Sequence, residues 1–413
     1  MHIQSQTLNL LEFALSFLVL SRVKGKNMYI HRAIEKLLKE ALEQFPVCLI
    51  TGPRQAGKST LLQNYLKEIP YVTLDDPIHR AMANQDPELF LSSFPAPVII
   101  DEIQYAPDLL SYIKIRVDEN RRKMGQYILT GSQIFQLMKG VSESLAGRIA
   151  IFQLYPLSWS EIDHQQISDH TLAKQTVQGF YPEFFAEPHL NWNLWYGSYL
   201  STYIERDVRN IKSITDLGRF QTFISLLATR AGQLLNLSEI AGQCGISQPT
   251  AKDWVTILEA TYIIRILQPF HNNLSKRLVK SPKIFFVDTG LLCYLLGVDT
   301  EERFFRVAEK GHIFENMVVM EAIKRLSHKM ERAQVYFYRT SSDVEVDLII
   351  DRGNGIEAYE IKLAKTLHRE MAHPLSLFIK DHKVVKASIL SLQEKKVLLA
   401  EGIWAEHWSN LLT

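Results

Sequence analysis

A pattern for binding phosphate lies near the start of the chain. Residues 49–60 read LITGPRQAGKST and match GxxxxGK[ST], with an apolar run before the loop and a helix-forming segment after it. Gly52 and Gly57 let backbone N–H groups turn towards phosphate, Lys58 reaches the β- and γ-phosphates, and the Ser59 hydroxyl completes a Mg²⁺ shell. The plain structural alternative is an ordinary glycine turn. The predicted nucleotide-binding residues are Gly52, Pro53, Arg54, Gln55, Ala56, Gly57, Lys58, Ser59 and Thr60.

Two adjacent acids follow the next strongly apolar run, PVIIDEIQ. Such a run is typical of a central parallel strand that is covered on both faces. Asp101 at its carboxyl end is suited to hold Mg²⁺, and Glu102 is placed to act as general base on the attacking water. The alternative is a pair of solvated acids at a strand end. Beside the phosphate loop, the pair favours ATP hydrolysis over nucleotide binding alone.

Three further residues are candidates for work on the γ-phosphate. Ser132 ends the apolar segment GQYILTGSQ and could touch the γ-phosphate or orient the water. Arg148 precedes another strand pattern. It could act on the γ-phosphate of a neighbouring subunit, fold back onto the nucleotide of its own chain, or be an ordinary surface arginine. Arg206, in WYGSYLSTYIERDVRNI, belongs either to a lid helix or to a solvated charged face.

A second group of chemically capable residues lies near the C-terminus. Glu315 opens a helical segment, Asp347 interrupts the apolar strand VEVDLII, and AYEIKLAK places Glu360 and Lys362 on one face of a strand. Buried strands rarely carry such residues without a purpose. The three acids could bind Mg²⁺ or Mn²⁺ while Lys362 steadies a hydroxide or phosphate in phosphodiester hydrolysis. The alternative is a salt-bridged strand in a domain that only binds. Two neighbours, assigned to the surface or to supporting contacts, are His312 and Arg339.

The elements that must position the first group alternate between strand and helix patterns. An amphipathic helical segment that begins near Met28 leads into the phosphate loop. Alternation of this kind predicts a parallel α/β sheet with its ligand at the carboxyl ends of the strands. The predicted strands are 46–51, 70–75, 96–101, 126–131 and 149–154.

A different pattern occupies residues 237–258, LSEIAGQCGISQPTAKDWVTIL. Ser238 can cap a first helix, Gly245 ends it, and Ser247 begins a second, which is the spacing of a helix-turn-helix. Two later apolar runs, ATYIIRILQPF and KIFFVDTG, could form the strands of a wing.

The nucleic-acid signal of this segment is weak, because its second helix offers no arginine for a guanine contact. Basic residues could still lie on phosphates without reading sequence. An equal alternative is a winged-helix fold that serves as a spacer or a protein contact. The candidate contacts are Lys252, Lys276, Arg277, Lys280 and Lys283.

Composition limits the class of protein. The 413 residues are 46% hydrophobic, which allows a sizeable core in two or three domains, and 46 Lys and Arg balance 45 Asp and Glu. No global basic field therefore indicates nucleic acid. The three cysteines, Cys48, Cys244 and Cys293, are far apart, which fits a reducing cytosol. Residues 7–20 are apolar but short and contain Glu12, so we expect no membrane anchor there.

Four segments together carry a family resemblance: GPRQAGKSTLL, VIIDEIQ, ILTGSQ and LAGRIAIFQLYPLSWSE. They resemble bacterial and archaeal AAA+ ATPases, largely uncharacterised, that carry a C-terminal domain of unknown function. The similarity runs from Met28 to the end of the chain. It implies a P-loop core of the ASCE type, Ser132 as sensor 1, and Arg148 as an arginine finger. It also implies a C-terminal domain of the restriction-endonuclease-like fold, with the D…ExK signature filled by Asp347, Glu360 and Lys362.

The resulting expectation is an α/β protein whose P-loop sheet is followed by a winged-helix segment and a restriction-endonuclease-like α/β domain. We expect a cytoplasmic, Mg²⁺-dependent ATPase coupled to nucleic acid, with DNA favoured, and a homo-oligomer if Arg148 acts between subunits. The alternatives are an ATP-gated, structure-specific nuclease and a nucleotide-gated protein-interaction module. The expected divisions are 1–27, an extension that is either an appended helix or a leader from an early start codon; 28–160, the ATPase core; 161–235, a helical lid; 236–300, the winged helix; and 301–413, the nuclease-like domain.

Overall fold

The computed structural model describes residues 29–132, 141, 144–162, 167–203, 216–270 and 281–412. Its strands are β1 Val47–Thr51, β2 Tyr71–Thr73, β3 Val98–Asp101, β4 Tyr127–Gly131, β5 Ile149–Gln153, β6 Ile264–Leu267, β7 Lys283–Phe286, β8 Gln334–Arg339, β9 Glu345–Asp351, β10 Ile356–Ile361, β11 Val384–Ser391, β12 Val397–Ala400 and β13 Ile403–His407. Its α-helices are α1 Glu35–Leu42, α2 Lys58–Tyr65, α3 Pro77–Gln85, α4 Pro87–Ser93, α5 Leu109–Glu119, α6 Asp169–Gln178, α7 Glu183–Ala186, α8 Trp192–Tyr203, α9 Leu217–Ala228, α10 Leu237–Cys244, α11 Gln248–Ala260, α12 Thr289–Leu295, α13 Glu301–Arg306, α14 Lys310–His328 and α15 His373–Asp381. Short 3₁₀ turns cover Ile103–Tyr105, Trp159–Glu161, Arg369–Ala372 and Trp408–Leu411.

The N-terminal sheet has five parallel strands in the order β2-β3-β4-β1-β5. This confirms the predicted parallel α/β sheet, with strand ends that differ by one or two residues. Both faces of the sheet are covered, since Leu49 packs in the layer of α3, α4 and α5 while Ile50 packs with α1 and α2. The apolar runs are therefore buried on both sides, as expected for central parallel strands.

Helix α1 begins later than the amphipathic pattern indicates, at Glu35 instead of near Met28. The side chain of Glu35 accepts hydrogen bonds from the Arg32 backbone N–H at 2.7 Å and from the Tyr29 hydroxyl at 2.5 Å. These bonds hold residues 29–34 in a turned conformation ahead of the helix, which directs the Arg32 side chain towards the phosphate loop.

The middle of the described chain contains two consecutive helices, α10 and α11, followed by the antiparallel pair β6 and β7. Ser247 caps α11 by accepting from the Thr250 backbone N–H at 3.2 Å, as predicted. The cap of α10 was misassigned, because Asn236 accepts from the Glu239 N–H and the helix begins one residue before Ser238. This order of elements is compatible with a winged helix, which remains a prediction.

The C-terminal region forms a six-stranded sheet in the order β12-β13-β11-β10-β9-β8. Strands β8, β9 and β10 are antiparallel neighbours, whereas β10 and β11 are parallel, so the sheet is mixed. Helix α14 precedes these strands and is buried on most of its circumference, as expected for a helix enclosed by other elements. The restriction-endonuclease-like assignment remains a prediction.

Helix α14 also joins the C-terminal region to the nucleotide-binding region. Its Glu321 accepts a hydrogen bond from the Trp159 backbone N–H at 2.8 Å, and its Lys324 donates to the Leu157 carbonyl at 2.9 Å. The segment after β5 is thus held directly by α14. Across the described ranges, we find no helix with the length and apolar character needed to span a membrane; residues 7–20 lie outside those ranges.

Candidate nucleotide-binding site and a second charged pocket

The phosphate loop requires glycine at two positions. Gly52 has φ +151°, and a Cβ atom there would lie 2.0 Å from the Leu154 carbonyl oxygen. Gly57 adopts the left-handed conformation, with φ +88°, immediately before α2 begins at Lys58. Left-handed backbone is the conformation that glycine adopts at little cost. The two glycines therefore let the loop pass close to β5 and turn into the helix.

Lys58 points back into its own loop. Its ammonium group donates to the Gly52 carbonyl at 3.0 Å and to the Pro53 carbonyl at 2.8 Å, and only 5% of the residue is exposed. The N-terminal end of α2 faces the same space. The loop thus presents one positive side chain and a helix terminus to a single volume, as a phosphate site requires.

Three hydroxyl groups surround the Asp101 carboxylate at the end of β3. Ser59 donates to it at 2.9 Å and Tyr71 at 2.5 Å, and Thr130 donates to its other oxygen. Burial and the nearby carboxylate raise the pKa of Tyr71, so it remains a neutral donor. A carboxylate beside a serine hydroxyl is a hard-oxygen pair of the kind that Mg²⁺ prefers. Ser59 and Asp101 therefore fit the expected ion.

Glu102 occupies a conformation that is uncommon for a residue with a side chain, with φ +58°. Its backbone N–H donates to the Thr130 hydroxyl at 3.0 Å. Its carboxylate accepts from the Gln104 amide and, at 3.4 Å, from the Ser132 hydroxyl. The chain thus brings Ser132 against Glu102, at the same edge of the sheet as the phosphate loop. Backbone strain of this kind is concentrated at functional sites.

A pocket of about 740 Å³ lies in front of these residues, a volume typical of small-molecule sites. Its floor is formed by the phosphate loop, with Lys58 and Glu102 among the lining residues. The opposite wall comes from α7 and α8, through Glu183 and Tyr199 among others. The phosphate loop and both acids of the VIIDEIQ segment are therefore gathered at one pocket or its edge.

Arg32 is a contributor that the sequence pattern did not reveal. Its buried guanidinium donates to the Ala56 carbonyl of the phosphate loop at 2.8 Å and to the Tyr155 carbonyl at 2.7 Å. It also pairs with Glu161 at 3.0 Å. Burial alone would raise the pKa of Glu161, but the charge of Arg32 overrides it and lowers the pKa to about 2. An arginine within an amphipathic segment carries no signal for such a role.

Arg148 lies at the opposite edge of the sheet from the phosphate loop. It immediately precedes β5, and strands β1 and β5 are parallel, so five residues of strand, roughly 16 Å, separate it from the loop. Its side chain pairs with Asp118 at 2.7 Å. The alternative in which Arg148 acts in cis does not fit this position. A role on a neighbouring subunit's nucleotide remains a prediction.

The four C-terminal candidates do meet, in a second pocket of about 760 Å³. Glu360 contacts Lys362 at 2.6 Å, and Lys362 lies 3.8 Å from Asp347. The central member of this group is Lys283, which the sequence pattern did not assign to it. Its ammonium lies 2.7 Å from Glu315, 2.5 Å from Glu345 and 3.9 Å from Asp347.

The electrostatics of this second pocket reflect deep burial. Burial, followed by the charge of Glu315, raises the pKa of Asp347, and burial followed by the charge of Asp347 raises that of Glu360. One carboxylate oxygen of Glu360, Oε2, is buried without a hydrogen-bond partner. His312 lies 3.7 Å from Glu315, and Arg339 pairs with Glu345 at 2.8 Å.

The candidate nucleic-acid contacts have different outcomes. Lys252 is exposed on α11, and Lys283 is 1% exposed and surrounded by carboxylates. The prediction that Lys283 contacts a phosphate backbone is therefore wrong, because its ammonium group does not reach the surface. The remaining candidates, together with Arg206, lie outside the described residues: Lys276, Arg277 and Lys280.

Comparison with known proteins places these features in a family. Three family models match the chain: an AAA domain over residues 44–163, a domain of unknown function (DUF8612) over 169–302, and a domain of unknown function (DUF4143) over 310–410. The solved structure of the Walker-type ATPase PABY2304 of Pyrococcus abyssi aligns with 66% of this chain and 99% of its own, at 16% identity and a TM-score of 0.43.

Two curated mycobacterial proteins are similar over most of their length. Uncharacterized protein Rv2008c of Mycobacterium tuberculosis (strain ATCC 25618 / H37Rv) is 30% identical over 380 residues, which cover 91% of this chain and 83% of that protein. Uncharacterized protein Mb2031c of Mycobacterium bovis (strain ATCC BAA-935 / AF2122/97) matches to the same extent. With a parallel P-loop sheet and an AAA domain at its N-terminal end, the chain belongs to the family of these two mycobacterial proteins.

Proposed function

We propose that the protein binds ATP with Mg²⁺ and hydrolyses it to ADP and phosphate. The observation that carries the proposal is the arrangement at the carboxyl edge of the parallel sheet. Lys58, the start of α2, Asp101 and Glu102 converge there within hydrogen-bonding networks of their own. A pocket of suitable volume adjoins them. The AAA domain model covers the same residues.

Each residue has a distinct task in this reaction. The loop N–H groups and Lys58 bind the β- and γ-phosphates, whose charged oxygens are stronger acceptors than the carbonyls that Lys58 now contacts. Ser59 and Asp101 would hold Mg²⁺, which supplies charge neutralisation at the phosphates. Glu102 accepts a proton as water attacks the γ-phosphorus, and the bond to the β-phosphate oxygen breaks to release ADP. Ser132, bonded to Glu102, orients the carboxylate or the water.

The test separates binding from chemistry. Glu102→Gln keeps the shape and the hydrogen bond to Ser132 but removes the proton acceptor, so we expect phosphate release to fall by 10²-fold or more, on the order of a lost general base. Nucleotide affinity, measured by titration with a fluorescent ATP analogue, should stay within about threefold. Lys58→Ala should lose both phosphate release and nucleotide binding. Undiminished phosphate release by Glu102→Gln would refute the assignment of the base.

A second part of the proposal is that ATP hydrolysis is coupled to nucleic acid, with DNA favoured. The supporting observation is the pair α10 and α11, whose order and capping match a helix-turn-helix, with β6 and β7 following as a hairpin-like pair. Lys252 is exposed on α11 and could contact phosphate. The absence of an arginine among the exposed residues of α11 favours binding to the backbone over reading of the sequence.

Stimulation of ATP hydrolysis by DNA tests this coupling. We expect duplex, single-stranded or branched DNA to increase the rate, and the increase to weaken as salt rises, because phosphate contacts release counterions. Lys252→Ala should shift the DNA concentration for half-maximal stimulation and leave the basal rate unchanged. A rate that no DNA alters would favour the alternative, a nucleotide-gated contact with a protein. Phosphodiester cleavage is not part of the proposal, because Lys283 lies among the acids that would have to hold its metal.

A further inference from the structure

The second pocket contains an ammonium group in the place where its acids would hold a metal ion. Lys283 is the first residue of β7, and its Nζ atom is 2.7 Å from Glu315 Oε1 and 2.5 Å from Glu345 Oε1. Its side chain is 2% exposed. The acids pull the pKa of Lys283 well above its ordinary value, against burial, which acts in the opposite direction. Lys283 therefore lies as a cation among these carboxylates.

A divalent ion cannot share this position. Mg²⁺, Mn²⁺ and Ca²⁺ bind carboxylate oxygens at about 2.0 to 2.6 Å, so an ion on the same oxygens would be in contact with the Lys283 ammonium. Two cations at such separation inside a protein repel by several kcal/mol at an effective dielectric constant of about 20. Consistent with this, the described residues contain no group of three or more His, Cys, Asp or Glu side chains arranged to hold a metal.

The balance of charge points the same way. Four carboxylates, Glu315, Glu345, Asp347 and Glu360, meet three cationic side chains. The cations are Lys283, Lys362 and Arg339. A divalent ion that joined the intact group would add two positive charges beside the three cations, whereas one that took the place of Lys283 would add only one net positive charge. The carboxylates can thus satisfy either the lysine or a metal, and the chain supplies the lysine.

The origin of the lysine adds to the argument. The four carboxylates lie on α14 and the six-stranded sheet, but Lys283 comes from β7, which pairs with β6 beside the two-helix segment. The Asn316 side chain on α14 fixes this strand, because it accepts from the Phe286 N–H at 2.7 Å and donates to the Phe286 carbonyl at 2.8 Å. One segment of the chain therefore inserts a cation into the acidic site of another.

We propose that Lys283 is a built-in counter-cation that closes this carboxylate group to divalent metal ions. The group then serves to dock β7 against the C-terminal sheet, and it is not a metal-dependent nuclease centre. The proposal predicts that removal of the lysine charge, with its bulk retained, converts the group into a metal site.

Binding of Mn²⁺ to the nucleotide-free full chain, followed by the loss of the free-ion signal in electron paramagnetic resonance, tests the proposal. We expect Lys283→Met to gain one bound Mn²⁺ per chain, with an affinity at least about tenfold above that of the wild type. Lys283→Arg keeps the charge and should gain nothing. Lys283→Met combined with Glu315→Gln should lose the gained ion. Any Mn²⁺ bound at Ser59 and Asp101 is the same in the wild type and in these variants, so it does not affect the difference in bound ions.

A second comparison tests the proposal even if the Lys283 variants do not fold. Asp347→Asn and the wild type should bind Mn²⁺ equally, since the closed group holds none. Lys174→Met, which changes an exposed lysine on α6, is the matched control and should behave as the wild type. The proposal is overturned if the wild type binds a Mn²⁺ ion that Asp347→Asn loses. It is also overturned if folded Lys283→Met gains no ion. Cleavage of DNA with Mn²⁺ by the wild type but not by Asp347→Asn would refute it directly.

Discussion

Replacement of Arg32 by methionine is the perturbation that most directly tests how the phosphate loop is held. The change keeps an unbranched apolar stem and removes every donor of the guanidinium. It breaks the bonds to Ala56 O at 2.8 Å and Tyr155 O at 2.7 Å, and it leaves Glu161 without its cation. Glu161 is 2% exposed in its side chain, so water cannot readily replace the lost partner.

The pKa of Glu161 sets the scale of the expected loss. Burial would raise it, but the charge of Arg32 dominates and lowers the pKa from its ordinary value of 4.5 to about 2. A carboxyl with a lowered pKa stabilises the fold above about pH 4.5, and this contribution disappears as the pH falls towards 2. The difference corresponds to about 3 kcal/mol at neutral pH for all partners of Glu161 together, among which Arg32 contributes most. Breaking a buried ion pair from one side costs about 3 to 5 kcal/mol, in agreement.

Urea unfolding of Arg32→Met and wild type at pH 7 and pH 5 measures this loss. In the variant, the charge of Arg32 no longer opposes burial, so the pKa of Glu161 should rise, the cost of its charged form should grow with pH, and the loss of stability should be larger at pH 7. His328, 3.9 Å from Glu161, acts in the same direction, because it protonates more readily without Arg32. ATP affinity should fall by roughly fivefold, since the Ala56 carbonyl loses a donor worth about 1 kcal/mol.

Two further variants test whether the loss comes from the buried ion pair. Arg116→Met removes an arginine that is 33% exposed and pairs with Glu88 at 2.5 Å, and it should cost no more than about 1 kcal/mol. Arg32→Met combined with Glu161→Gln should recover part of the stability of the single variant, because no buried charge is then left unpaired. If Arg32→Met matches Arg116→Met in stability and the wild type in ATP affinity, the role assigned to Arg32 is wrong.

Two other predictions concern pH and the loop backbone. Burial lowers the pKa of His328 from 6.5 to about 4, so the wild type should lose up to about 3 kcal/mol of stability as pH falls from 6.5 to 4, and His328→Asn should flatten that part of a melting profile. A Cβ at Gly52 would lie 2.0 Å from the Leu154 carbonyl oxygen, so Gly52→Ala should abolish ATP binding in a titration with a fluorescent ATP analogue. Gly353 also has a positive φ but open space around it, so Gly353→Ala should lose only about 1 kcal/mol of stability and still bind ATP. A Gly52→Ala chain that binds ATP normally, or a His328→Asn chain with an unchanged profile, would contradict them.

The parallel sheet could be predicted because each of its strands carries a local signal. Runs such as those around Ile50 and Ile100 are apolar over their whole length, and glycine or acids mark where they end. The site residues that follow those runs, Ser59 after the phosphate loop and Asp101 and Glu102 at a strand end, are indicated by the same signal, since parallel strands bring their carboxyl ends to one edge. Local sequence was therefore sufficient to predict both the strands and the site residues that follow them.

The contacts that join distant segments carry no such signal. Arg32 reaches Glu161 across 129 residues, and Thr130 bridges Asp101 to the Glu102 backbone from the neighbouring strand. Their side-chain types are common, and their roles depend on which elements pack together. Arg148 shows the same limit. The family resemblance implies a role on the γ-phosphate, but the direction of β5 places Arg148 at the far edge of its own sheet, so a role on a neighbouring subunit's nucleotide stays a prediction.

Lys283 shows what the acids of a buried strand do imply. Lysine is rarely buried, so a lysine at the start of KIFFVDTG was assigned to the surface with its basic neighbours. The strands that carry Asp347 and Glu360 are nevertheless too apolar to hold unpaired carboxylates. Acids in such strands therefore require a cation, either a metal or a basic side chain from another segment. The need for a cation could be predicted from the sequence, and the ExK pattern suggested that the cation was a metal. The structure shows that it is Lys283, which the packing of β7 against α14 brings to the acids.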